Sequence, residues 1–318
     1  MRLIIALFIQ MLMVQARQDN VSRRAPISGG QMGGWSWREV VGTGPSLRGP
    51  VDVSGRAQEK RRGLSVTTET SDGDILCAIY NAATSKSLLT NWCGAKSNGN
   101  YVNGPCTGTA GKWNGVTNCA GTRVSVVDFN SADPPITGIG GSIPTEIGGL
   151  NALTFLYLGG NSLTGSCPSE LGLLTNLSDM VLDDNSLVGS LPSSLGGLIS
   201  LTYLSVNNNN IVGAIPSQLG LLSKLSYLDI SVNKLSGAIP SSLGGLTELT
   251  SFYMDTNSLI GSVPATFCAL NPSVDLTVNA NSGLTCYPSC LSSFTTLTKD
   301  TTQTACTAGI LLLSSLHP

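Results

Sequence analysis

The sequence predicts an α/β solenoid, a right-handed coil with one short parallel strand in each 24-residue turn and disulfides closing both ends. Three observations carry that expectation. Asn recurs at 161, 185, 209, 233, 257 and 281, a constant step of 24. Pro at 144, 168, 192, 216, 240 and 264, Gly at 141, 165, 189, 213, 237 and 261, and Leu at 150, 174, 198, 222, 246 and 270 keep the same step. The cysteines bracket this stretch: Cys77, Cys93, Cys106 and Cys119 lie before it, Cys268, Cys286, Cys290 and Cys306 at its end, and Cys167 stands alone. A period of this kind marks a stack of similar units, none of which can bury its own apolar face.

One complete unit reads LSKLSYLDISVNKLSGAIPSSLGG. Around Leu228 and Ile230 the apolar residues alternate with period two, so a short strand points these side chains inward. One strand per coil then stacks in parallel at about 4.8 Å. The Asn that follows turns inward, where its amide satisfies turn backbone that no ladder would pair. Gly and Pro shape the return, and a short x-x-Leu-Gly stretch closes the unit. At the N-terminal side, VSVVDFN (124–130) reads as a first, irregular strand, and NSADPPITGIG (130–140) as a loop with extra residues. At the other end Leu276, Val278 and Asn281 stay in phase, so a sixth strand runs into the C-terminal cap.

The rest of the chain divides around this core. Residues 1–16, with Arg2, an apolar Leu3–Val14 run and Val14-Gln-Ala16, read as a signal peptide, with an uncleaved anchor as the alternative. Twelve residues at about 1.5 Å each are too short to span a hydrocarbon core of roughly 30 Å. Residues 17–63 carry nine basic and four acidic groups and no periodicity, which reads as a disordered basic arm or propeptide. Arg23-Arg24 and Lys60-Arg61-Arg62 are candidate dibasic processing sites within it. Residues 64–122 form a cysteine-rich N-terminal cap, 123–285 the solenoid, and 286–318 a C-terminal cap and tail. Two local disulfide sets imply an oxidising compartment and leave the pairing within each set open. The tail AGILLLSSLHP (308–318) is short for a GPI-anchor signal.

The flanks and the repeat together resemble the plant-type extracellular leucine-rich repeat family. The match covers about 140–285 through L-x-x-L-x-L-x-x-N-x-L-x-G-x-I-P. DILCAIYNAATSKSLLTNWC (74–93) is similar to that family's N-terminal cap helix, and KWNGVTNC (112–119) to the motif that closes the cap. Cys167 departs from the pattern by replacing the Ile of Ile-Pro, and is expected to be a buried, unpaired small hydrophobe. No kinase signature and no apolar span of about 20 residues follows the repeats. The resemblance implies a role such as an inhibitor of wall-degrading enzymes or a co-receptor ectodomain.

Composition narrows the function. The single histidine, His317, lies next to the last residue, so catalysis or metal binding through an internal imidazole is not expected, and neither is any cofactor. Residues 64–318 hold seven basic and fifteen acidic groups, which argues against nucleic acid as a partner of the folded part. The outward strand positions, expected to line a concave face, hold Phe155, Tyr157, Asp179, Asp183, Asp184, Tyr203, Asn207, Tyr227, Asp229, Tyr253 and Asp255. Exposed rings on a rigid sheet are recognition residues by composition, and aspartates among them favour basic peptide segments or polysaccharide hydroxyls. Asp183 and Asp184 lie two coils from Asp229, about 10 Å by strand spacing, which resembles a carboxylate pair of an inverting hydrolase. An open face gives an acid little burial to raise its pKa, so binding without catalysis is the expectation. Asn20 and Asn176 begin glycosylation sequons. The sequence thus predicts a secreted or cell-surface protein binding a protein, peptide or cell-wall polysaccharide, with a structural matrix protein as the alternative.

Overall fold

The computed structural model describes residues 71–85, 89, 96–97, 100–101, 115–120, 123–130 and 136–306. The signal-peptide and arm assignments, Asn20, Cys93, Cys106, most of 130–140 before Ile136, and the tail after 306 lie outside the described residues.

Helix α1 (Asp72–Ala82) opens the described part. Ser71 caps it: the Asp74 amide donates to Ser71 Oγ, and that hydroxyl donates back to the Asp74 carboxylate at 2.8 Å. Its apolar face, Ile75, Leu76 and Ile79, is buried. Strands β1 (Lys96–Ser97) and β2 (Asn100–Tyr101) pair antiparallel, as do β3 (Val116–Ala120) and β4 (Arg123–Asp128). From β4 onward the pairing is parallel. Strands β5 (Phe155–Tyr157), β6 (Asp179–Val181), β7 (Tyr203–Ser205), β9 (Tyr227–Asp229), β11 (Ser251–Tyr253), β13 (Asp275–Thr277) and β15 (Thr296–Thr298) extend a nine-stranded main sheet. The register steps by 24: Phe155, Asp179, Tyr203, Tyr227, Ser251 and Asp275 lie opposite one another in one row. β15 lies beyond the predicted end of the solenoid at 285, so the ladder continues into the cap.

A second, five-stranded sheet was not expected from the sequence. It contains β8 (Val212–Ala214), β10 (Lys234–Ala238), β12 (Ser258–Ser262), β14 (Gly283–Tyr287) and β16 (Thr304–Ala305), again in parallel. Isolated bridges Ser142–Thr164 and Ser166–Val188 carry the same pairing into the earlier coils. The later coils therefore hold two strands each. The return segments are 3-10 helices, as at Ser193–Gly197 and Ser217–Leu221, each entered from a Pro whose fixed φ suits that position (Pro192, φ −72°). Close stacking of these turns requires glycine: a Cβ on Gly172 would sit 2.2 Å from the Ser194 carbonyl oxygen.

The core between the sheets and turns is one continuous cluster, dominated by Leu. Leu228 and Ile230 are fully buried, as the period-two reading requires. The Asn column explains how the tight turns avoid orphaned backbone groups. Asn185 Nδ2 donates to the carbonyls of Leu158 (3.0 Å), Leu182 (3.1 Å) and Asp183 (2.9 Å). Its Oδ1 accepts from the amides of Asn161 (3.1 Å) and Leu163 (2.8 Å) in the preceding coil. Asn209, Asn233, Asn257 and Asn281 repeat this arrangement, so the ladder links coil to coil.

Both ends are tied down. Asp72, buried at the start of α1, accepts from Arg123 Nε at 2.8 Å and from the Val124 amide at 2.6 Å, fastening the cap helix to β4. Cys77 and Cys119 are both disulfide-bonded. At the C-terminal end Cys268 pairs with Cys290 and Cys286 with Cys306, an interleaved pair that settles the connectivity left open by the sequence. Both members of Cys286-x-x-x-Cys290 are thereby committed to disulfides. Cys167 is free and buried, and burial pushes its thiol up to about 12. Among the described residues no helix is long and apolar enough to cross a membrane.

Candidate functional site

The site predicted from outward strand positions lies on the solvent face of the main sheet. The 24-residue register makes neighbours of residues far apart in sequence. Tyr203 and Tyr227 stack with ring centroids 4.1 Å apart and planes 4° from parallel. Tyr253, one strand further and two residues along, meets Tyr227 edge-on at 5.7 Å and 74°. Phe155 and Tyr157 form a second, looser ring pair at 6.0 Å. Each ring is half-buried.

The carboxylates interlock with these rings. Tyr157 Oη donates to Asp179 at 3.3 Å, and Tyr253 Oη donates to Asp275 at 2.8 Å. Asp229 accepts from the Ser231 hydroxyl at 2.6 Å, from its amide at 3.0 Å and from Tyr227 Oη at 3.5 Å. Asp255 accepts from Thr277 Oγ1 at 2.6 Å, and Asp184 from the Asn208 amide group. Asp184 itself adopts a left-handed backbone, φ 52°, at the turn after β6. Asn207 accepts from Ser205 Oγ at 3.3 Å.

Two of the predicted contact residues lie deeper than expected. Asp179 is 2% exposed and Asp229 6%, because flanking Tyr rings close over them. They hold the rings and backbone in place, and the groups presented to solvent are the Tyr rings, Phe155, Asp183, Asp184, Asn207 and Asp255. The expectation that an open face would leave the acids unshifted is also corrected. Burial, reinforced by the neighbouring Asp184 carboxylate, raises Asp183 to about 6. Burial raises Asp229 to about 6 as well, against the opposing effect of the Ser231 hydrogen bonds. The Tyr227 hydroxyl is pushed well above the usual phenol range by burial, and Tyr253 to about 12 for the same reason.

No Lys or Arg occupies the outward positions of β5–β13 on this face, whereas six aspartates do or adjoin them. The face is therefore an acidic surface with an aromatic ladder through its centre. Asp275 and Ser231, which brace Tyr253 and Asp229, were not among the predicted site residues, although their place in the 24-residue columns was readable. Asn176 lies away from the ladder, exposed, with its Nδ2 donating to the Asn151 carbonyl at 2.8 Å. Among the described residues no cluster of His, Cys, Asp and Glu is arranged to hold a metal ion.

With that geometry in view, comparison with known proteins gives the class. A leucine rich repeat family model matches residues 199–259, and a second matches 152–174. The receptor kinase HAESA of Arabidopsis, solved with the peptide hormone IDA and the co-receptor SERK1, is 32% identical, with a TM-score of 0.58 over 71% of this chain and 36% of its own. A plant ice-binding protein is 27% identical, with a TM-score of 0.56 over 70% of this chain and 66% of its own. The PEPR1–AtPEP1 complex is 27% identical, with a TM-score of 0.51 over 68% of this chain and 32% of its own. No curated protein matches the sequence. The repeats match leucine rich repeat models, the fold is the leucine-rich-repeat solenoid of these plant proteins, and the chain spans about a third of the length of the two receptor structures.

Proposed function

We propose that this protein is an extracellular recognition module that binds a protein, peptide or polysaccharide ligand on the solvent face of its main sheet, without catalysis. The observation that carries the reading is the Tyr203–Tyr227–Tyr253 ladder, set rigidly in a sheet and bordered by acidic groups with no basic residue among them. Rigid, half-buried rings provide contact area at little entropic cost. The acidic border favours a peptide segment bearing Lys or Arg, whose cations sit over ring faces and beside carboxylates. Receptor structures of the same fold bind peptide hormones, and six described disulfide-bonded cysteines, two at the N-terminal end and four at the C-terminal end, fit a secreted chain.

The test is a binding screen of the secreted chain against basic and acidic peptides and cell-wall oligosaccharides, alongside a Tyr203→Ala/Tyr227→Ala variant that a cooperative melt shows to be folded. Basic-peptide binding that the variant loses supports the reading. Binding that survives moves the site off the ladder. Absence of any binding favours the structural matrix protein.

A further inference from the structure

We infer that Asn176 carries an N-linked oligosaccharide whose first sugars lie in a hollow between helix α1 and the first coils, over Leu173. The inference rests on the reading of this chain as secreted, and not on the Tyr ladder. Two observations meet at this residue. Asn176-Leu177-Ser178 is the one glycosylation sequon among the described residues, since Asn271 is followed by Pro. Asn176 Nδ2 donates at 2.8 Å to the carbonyl of Asn151, and Asn151 borders a cavity of about 480 Å³. Leu173, three residues before Asn176, forms another wall of it.

The lining suits a sugar. Leu173 and Ile75 give the hollow an apolar side, while Arg123, Thr145, Glu146 and Asn151 bring donors and acceptors. A pyranose divides in the same way, with C–H groups on its faces and hydroxyl or N-acetyl groups around its edge. Arg123 is fixed where it borders the hollow: Asp72 accepts from its Nε at 2.8 Å, and the Gly149 carbonyl from its Nη2 at 3.2 Å. The charges of Arg123 and Glu146 strengthen any hydrogen bond they make to a hydroxyl. The site is preformed by the cap and two coils, so seating a sugar there requires no rearrangement of the chain.

The surroundings give the glycan work to do. Leu173, Ile199 and Leu221 are 63%, 62% and 67% exposed, more than any other large apolar side chain among the described residues. They lie in successive coils, Leu173 and Leu221 ending 3-10 turns and Ile199 just after the turn between them. An uncovered apolar row of this kind is a contact surface for other chains. A bulky, hydrated oligosaccharide rooted beside Leu173 covers its beginning. A lipid-linked oligosaccharyl diphosphate of the secretory pathway supplies the sugar. The bond from Asn176 Nδ2 to sugar C1 forms, the C1–O bond to the diphosphate breaks with its electron pair leaving on oxygen, and the amide gives up one proton. Nδ2 keeps its other hydrogen, which holds the linkage against the Asn151 carbonyl at the rim of the hollow.

The test expresses the full chain in a eukaryotic secretory host and reads Asn176 by mass spectrometry, before and during digestion with an endoglycosidase that cuts between the first two sugars. We expect an occupied Asn176, cleaved roughly tenfold more slowly or more in the folded chain than after unfolding. Leu173→Ser and Glu146→Ala, each at an exposed position, should speed cleavage of the folded chain several-fold. Tyr203→Ala/Tyr227→Ala, on the other face, should leave it slow. A chain that is not secreted overturns the extracellular reading and this inference with it. A secreted chain that is bare at Asn176 overturns the glycan and leaves the extracellular reading intact. Rapid cleavage of the folded wild type, or slow cleavage that both cavity variants retain, overturns the seat in the hollow.

Discussion

The two sheets of this solenoid are built from the same repeat, yet they vary in different ways. On the main sheet one row changes from Phe155 to Asp179, Tyr203, Tyr227, Ser251 and Asp275, so that each coil presents different chemistry. On the five-stranded sheet and the bridges that extend it, the residue after the repeating Gly, from Ser142 to Ser262, changes only between Ser and Ala. The first surface therefore has one place where three rings meet and suits a ligand of defined shape. The second repeats a small residue at every coil and gathers no rings. A stack sets backbone spacing for both faces, and the outward side chains alone decide which kind of partner each can meet.

The largest expected effect removes the scaffold that the two faces share. Asn185→Ala deletes five hydrogen bonds and leaves buried amides and carbonyls of two coils unpaired. We expect a loss of about 3 kcal/mol or more in denaturant unfolding, with both faces failing together; an unchanged midpoint would show that water replaces the ladder.

The next separates the faces by pH. Asp183 and Asp229 have folded pKa values raised to about 6 from 3.8, so between those limits the folded chain keeps protons that the unfolded chain has released. Their contribution to stability is thus greatest at the acid end and declines as pH rises to about 6, by roughly 3 kcal/mol for each group. Asp183→Asn/Asp229→Asn should flatten that slope in melting curves recorded across this range and leave the five-stranded sheet unaffected. A slope that persists in the variant assigns it to other groups.

Gly213→Val tests the opposite face. A β-branched residue at φ 81° is strained, and its Cβ presses on Ser190, so a loss of about 1–2 kcal/mol is expected. Main-sheet binding should be retained, and its loss would mean that the two sheets are mechanically coupled.

Smaller still is Tyr227→Ala, which removes a stacking partner worth about 1 kcal/mol and uncovers Asp229. Since burial is the largest cause of the Asp229 shift, its pKa in an NMR titration should fall toward the usual carboxylate range. A value still near 6 would transfer the cause to the surrounding acids. Cys167→Ala should cost about 1 kcal/mol, and the wild-type thiol should resist alkylation until the chain unfolds.

Much of this was legible because a repeat converts spacing into neighbourhood. Once Asn185 and Asn209 occupy equivalent places, a constant step of 24 forces Tyr203 beside Tyr227, and it also identifies Leu228 and Ile230 as core. Cys167 was readable as a buried thiol for the same reason, since it replaces an inward apolar residue. The columns, the inward Asn and the need for closed ends follow from local composition and periodicity alone.

Other features depended on coils meeting. Val212-Gly213-Ala214 reads along the chain as a turn, and it becomes a strand only because the next coil supplies Lys234–Ser236 at pairing distance. Asp179 and Asp229 occupy outward positions in the pattern, but their depth is set by Tyr157 and Tyr227 closing over them, and with it the raised pKa of Asp229. β15 joins the main sheet within the cap, where the 24-residue phase has already lapsed. Pattern specifies which way a side chain leaves the backbone; how much water then reaches it depends on the side chains that neighbouring coils bring across, and only the assembled stack decides that.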